Sequence, residues 1–123
     1  MNLLIIEDDS TIRSGLKYCL ECEGFNVIEA SLGSEALTKL DGISLILLDI
    51  NLPDINGFDL FNQIKSIKDV PVIFLTANDL ETSIVMGLDM GADDYITKPF
   101  KTRELISRIK NILRRNNNSD VIK

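Results

Sequence analysis

The 123 residues contain no histidine and no tryptophan, three prolines, two cysteines and only 6% aromatics. Without histidine the chain has no imidazole to serve as general base, zinc ligand or phosphorylated donor. A metal site must then be built from oxygen, which favours magnesium, manganese or calcium. No run approaches the roughly 18 uninterrupted apolar residues of a membrane span, and no basic segment opens the sequence. A cytoplasmic protein without a membrane partner is therefore expected. Positive charge is also scarce: 13 Lys and Arg stand against 19 Asp and Glu, a net charge of -6. Nucleic-acid affinity comes largely from neutralising phosphates, so DNA contact would need another segment. Cys19 and Cys22 have C-x-x-C spacing, but no second pair completes a zinc site, and Leu20-Glu21 replaces the Gly-Pro of thioredoxin-like motifs. Cys19 groups with Ile12, Leu16 and Leu20 on one helical face and is expected in the core.

What is abundant is aliphatic: 45% of the chain is hydrophobic, enough for one core in a single domain. It is arranged as short apolar runs alternating with amphipathic stretches. Strands are predicted over residues 2–6, 25–29, 44–48, 71–75 and 94–97. Helices are predicted from Ser10 to Gly24, with Asp9 or Ser10 as cap, and over residues 31–40, after Gly57, over 80–90 and over 102–115. Gly87 lowers the intrinsic stability of the fourth helix by about 1 kcal/mol relative to alanine, which marks it as a candidate moving part. Runs such as Leu3-Leu4-Ile5-Ile6 and Leu45-Ile46-Leu47-Leu48, with no polar alternation, read as strands covered on both faces. Strict alternation with short connections then gives a flavodoxin-like, doubly wound (βα)5 fold with a five-stranded parallel sheet. Residues 1–115 form the domain, and the polar residues 116–123 read as the start of a linker or tail.

Such sheets bind ligands at the carboxyl ends of their strands. That rim collects Glu7 and Asp8 from the first strand, Asp49 from the third, Thr76 and Ala77 from the fourth and Lys98 from the fifth. Crowded carboxylates repel one another unless a cation neutralises them. Asp8 and Asp49 are the expected ligands of Mg2+, with Mn2+ or Ca2+ as alternatives, while Glu7 reaches it through water and the Asn51 carbonyl adds an oxygen. Lys98 can pair with Asp49 and hold a phosphoryl oxygen, Thr76 can donate its hydroxyl there, and a carboxylate can itself attack phosphorus. Taken singly, each residue has a plain structural reading: acids at strand ends cap helices, and Thr76 and Lys98 merely end strands. Their coincidence at one rim is what points to chemistry.

These motifs resemble the receiver domain of bacterial two-component response regulators from Leu3 to about Arg115. The resemblance is carried by Leu3 to Asp9, by Leu47-Leu48-Asp49-Ile50-Asn51-Leu52-Pro53 with Gly57, by Leu75-Thr76-Ala77 and by Tyr95-Ile96-Thr97-Lys98-Pro99-Phe100. It implies that Asp49 accepts a phosphoryl group from a sensor histidine kinase, that Glu7, Asp8 and the Asn51 carbonyl serve the metal, and that Lys98 and Thr76 contact the phosphoryl group. It also makes Thr76 and Tyr95 a switch pair and Lys98-Pro99 a match to a cis peptide. Gly91 to Phe100 and Arg103 to Ile109 look most like the OmpR/PhoB subfamily of transcription factors. Those form homodimers through the fourth helix, fifth strand and fifth helix, with Asp93, Asp94, Glu104 and Arg108 matching interface charges, and bind DNA through a C-terminal effector domain. One departure is that no Lys or Arg occurs between Lys68 and Lys98, so the fourth helix lacks its usual basic partner. No enzyme is implied beyond Mg-dependent self-phosphorylation from a phosphodonor and autodephosphorylation. The alternative is a stand-alone receiver or phosphorelay intermediate. A haloacid-dehalogenase-type phosphohydrolase is disfavoured because Asp49-Ile50-Asn51 lacks the second acid of D-x-D, and a flavin or nucleotide carrier because acids occupy the phosphate-binding turn.

Overall fold

The computed structural model describes residues 1–122, with side chains described through residue 116. Five strands, β1 (Asn2–Ile6), β2 (Asn26–Ala30), β3 (Ile43–Leu48), β4 (Val72–Thr76) and β5 (Asp94–Thr97), alternate with five helices, α1 (Ser10–Cys22), α2 (Gly33–Leu37), α3 (Gly57–Ile67), α4 (Glu81–Asp89) and α5 (Thr102–Ile122). The sheet is parallel throughout in the order β2-β1-β3-β4-β5. Side-chain alternation along each strand sends residues to opposite faces, so two cores form. Leu4, Ile6, Ile46, Leu48 and Phe74 meet Phe58, Phe61 and Ile64 of α3 on one face. Leu3, Ile5, Leu45, Leu47, Ile73 and Leu75 meet Leu16 and Leu20 of α1 and Leu105 and Ile109 of α5 on the other.

Every strand lies within one residue of its predicted bounds, whereas two helices differ. The second was expected over residues 31–40 and is one short helix, Gly33–Leu37. Its N-cap position is Leu32, which has no capping side chain. The cap comes instead from Asp54, whose carboxylate accepts from the Gly33 and Ser34 amides at 2.9 and 3.0 Å. Gly33 leaves room there for Ile55, whose Cγ2 methyl a Cβ would displace. The fifth helix was expected to end at residue 115, and its backbone continues to Ile122. The linker reading of residues 116–123 falls almost wholly on residues whose side chains lie outside the described set. Cys19 is only half-buried and Cys22 is exposed, so the pair sits at the margin of the core rather than in it.

Candidate functional site

Sheet hydrogen bonds run one step past the strand ends and thereby fix the rim. The Glu7 amide donates to the Ala30 carbonyl at 3.0 Å, Asp49 to Ile6 at 3.1 Å and Lys98 to Thr76 at 2.8 Å. Asp9 caps α1 by accepting from the Thr11 and Ile12 amides at 2.9 and 3.1 Å, which gives it a structural task and leaves Glu7 and Asp8 to the site. Glu7 and Asp49 are buried at 4% and 6% exposure, while Asp8 lies open to solvent at the mouth. One carboxylate oxygen from each of the three falls within 4.8 Å of the others.

Lys98 closes the site from the fifth strand. Its Nζ donates to Glu7 Oε1 and to Asp49 Oδ2, the latter at 3.2 Å. The sequence suggested the Asp49 pairing and not the one with Glu7. Burial raises the Glu7 pKa, opposed by the hydrogen bond from Lys98. For Lys98 burial alone works downward, but the bond to Glu7 and the charge of Asp49 outweigh it and raise the pKa, so the ammonium persists. Three carboxylates against one ammonium leave an anionic, oxygen-only donor set, which suits a hard divalent cation such as magnesium. The Lys98-Pro99 peptide is cis.

The remaining predicted residues surround this centre. The Asn51 amide donates to Asp49 Oδ1 at 3.1 Å, and Asn51 pairs with Asn56 in a small bridge that folds the loop back. Gly57 makes that fold possible: a Cβ would stand 2.4 Å from Ile50 Cα and 2.7 Å from the Asp49 carbonyl oxygen. Thr76 is fully buried, and its Oγ1 accepts from the Asn78 amide at 3.3 Å. The Tyr95 ring points inward at 9% exposure, and its hydroxyl donates to the Asn78 carbonyl at 2.6 Å. Thr76 and Tyr95 are thus joined through one residue. Burial, then the charges of Asp49 and Asp79, raise the Tyr95 pKa and keep the phenol neutral.

Two contributors escaped the sequence reading. Arg13 donates from Nη1 to the Glu7 carbonyl at 2.7 Å and pairs through Nε with Glu29 of β2 at 3.3 Å, bracing the acidic turn. Asp54 ties the loop after Asp49 to α2, as described above. Helical spacing places Arg13 near the start of α1 facing β1, but nothing local identifies a partner for Asp54. The expected interface charges also have partners within the protomer: Arg108 donates to Asp94 at 2.7 Å and to Glu104 at 2.9 Å, and Asp93 accepts from the Val72 amide at 3.0 Å.

Fold and rim together define a flavodoxin-like α/β domain with a lysine-backed, oxygen-donor site. The chain belongs to the response regulator receiver domain family, whose pattern it matches over residues 3–110. It is 48% identical over 119 residues to the transcriptional regulatory protein CpxR of Escherichia coli, covering 96% of this chain and 51% of that protein. It is 42% identical over 121 residues to the sensory transduction protein RegX3 of Mycobacterium tuberculosis, covering 97% of this chain and 53% of that protein. The chain therefore spans about half the length of these relatives. Among solved structures, a two-component response regulator from Clostridium difficile superposes with a TM-score of 0.92 at 34% identity, covering 95% of this chain and 98% of that one. No helix of the described residues is long and apolar enough to cross a membrane.

Proposed function

We propose that the domain is a phosphorylation-driven switch in which Asp49 accepts a phosphoryl group from the phosphohistidine of a sensor histidine kinase. A carboxylate oxygen of Asp49 attacks phosphorus, the P–N bond breaks, and the imidazole leaves with the electron pair and is reprotonated from water; an acyl phosphate remains on Asp49. Asp8 and Asp49 would hold Mg2+, with Glu7 acting through water and the Asn51 carbonyl completing the set, and the ion supplies charge neutralisation for the phosphoryl oxygens. Lys98 then trades its carboxylate partners for a phosphoryl oxygen, and the Thr76 hydroxyl donates to another. This chemistry is positioning and neutralisation without proton transfer by the protein, which suits a site that has no histidine.

Movement of Thr76 toward the phosphoryl group, with Tyr95 held inward, shifts an existing equilibrium toward the active surface. That surface is α4, β5 and α5, where a second copy docks and Arg108 exchanges its own Asp94 and Glu104 for those of the partner copy, with Asp93 beside them. Residues 1–115 act as the receiver, and residues 116–123 lead toward a C-terminal DNA-binding effector domain of OmpR/PhoB type, so the whole regulates transcription in the cytoplasm. Catalysis is confined to self-phosphorylation and dephosphorylation. The names of the relatives, a transcriptional regulatory and a sensory transduction protein, support this output.

The observation that carries the reading is the convergence of Glu7, Asp8 and Asp49 within 4.8 Å, with Lys98 bonded to the two buried acids. Incubation with a small-molecule phosphodonor and Mg2+ tests it. Labelling is expected in the parent and absent in Asp49→Ala; undiminished one-site labelling of the variant would refute the assignment.

A further inference from the structure

Gly87 lies in the last turn of α4, two residues before Asp89 ends the helix, and glycine in a helix interior costs up to about 1 kcal/mol relative to alanine. Its backbone does not need glycine, because the positive φ angles belong to Gly24, Gly42 and Gly91. What it provides is room. A Cβ at Gly87 would stand 2.9 Å from Tyr95 Cδ2 and 3.2 and 3.3 Å from Phe74 Cδ2 and Cε2. Phe74 has no freedom to retreat: it is fully buried and backed by Phe58 and Phe61, with ring centroids at 5.3 and 5.5 Å. Tyr95, at 5.8 Å from Phe74, lies at the edge of this aromatic cluster and is the ring that can yield.

We propose that Gly87 is a positioning residue for the Tyr95 switch, its missing side chain being the seat that admits the ring to its inward site. The proposal rests on the reading of Thr76 and Tyr95 as the switch pair. A methyl group at Gly87 drives the ring outward, breaks its bond to the Asn78 carbonyl, and so uncouples α4 and β5 from Thr76. None of the groups near that Cβ belongs to the acidic rim, so phosphoryl acceptance is untouched.

The test compares Gly87→Ala with its parent in a Tyr18→Phe background, which leaves Tyr95 as the sole tyrosine; Tyr18 is 72% exposed, and phenylalanine keeps its ring. Labelling of Asp49 by a small phosphodonor with Mg2+ is expected at the parental level. The dimer dissociation constant of the labelled variant is expected to rise at least about five-fold, the lower end of the coupling usual between linked sites. The Tyr95 ring protons are expected to lose the ring-current shift imposed by Phe74. The double variant Gly87→Ala/Phe74→Leu, which restores room behind the ring, should recover dimerisation. A smaller rise in the dissociation constant, an unchanged ring shift or no recovery in the double variant would each overturn the proposal. A parent that takes label without dimerising would instead defeat the switch reading, and the ring shift alone would then decide whether Gly87 is a seat.

Discussion

Replacing Lys98 with methionine keeps the unbranched apolar stem, one heavy atom shorter, and removes the cation that bridges Glu7 and Asp49. The Lys98 side chain is 14% exposed and those of its partners 5% and 7%, so the bridge is largely desolvated. Breaking a buried ion pair from one side costs about 3–5 kcal/mol. The site opens to solvent at Asp8, which screens the uncompensated carboxylates, so a cost of about 2–3 kcal/mol is expected. For a domain of this size each kcal/mol moves the melting midpoint by about 4 °C, giving a fall of about 10 °C in chelator. Mg2+ supplies the missing charge and binds only the folded site, so adding it should raise the variant's midpoint more than the parent's. The double variant Lys98→Met/Glu7→Gln, with one acid neutralised, should regain part of the loss. Scanning calorimetry with and without Mg2+ measures all of these. A fall of under about 2 °C, or equal Mg2+ responses in parent and variant, would refute the idea that Lys98 neutralises a crowded acidic rim.

Gly57→Ala places a methyl against the backbone of Ile50 and Asp49, which cannot yield as a side chain can; a loss of about 2–4 kcal/mol in urea unfolding is expected, together with slower phosphorylation of Asp49. Asp9→Ala should cost about 1 kcal/mol through the lost cap on α1 while leaving the extent of Asp49 labelling intact, and a failure to label would show that Asp9 belongs to the site. Asp54 has its pKa lowered by the amides of Gly33 and Ser34, so its contribution is present above the ordinary value of 3.8 and is lost as pH falls through the lower native value. The stability gap between parent and Asp54→Asn should accordingly shrink between neutral pH and strongly acidic conditions, and a gap that does not change with pH would contradict this role.

Strand positions were legible because they depend on local runs: four aliphatic residues ending at an acid read the same way in sequence and in space. The rim was legible for the same reason, since alternation alone brings the ends of β1, β3, β4 and β5 to one edge. What the sequence did not show lies where the partner is remote. The start of α2 is set by Asp54, 20 residues or more along the chain, and no local cap marks it. Gly87 looked like a weak point of α4 because helix propensity ignores the two rings packed against it. Lys98 was expected to pair with Asp49 and does so, but its side chain also reaches from the end of β5 to Glu7 at the end of β1, two strands further along the sheet than β4. Cys19 shares a helical face with Leu16 and Leu20, yet it lies at the edge of that face, and hydrophobic spacing cannot separate the centre of a stripe from its margin.

The most direct measurement is chemical mapping of the phosphoryl group. After reaction with a small phosphodonor and Mg2+, borohydride reduction converts an aspartyl phosphate to homoserine, and peptide mass spectrometry locates it. Homoserine is expected at Asp49 alone, with none formed when Mg2+ is chelated; homoserine at Asp8 or another acid, or equal modification without the metal, would contradict the assignment of Asp49 as a metal-dependent phosphoacceptor.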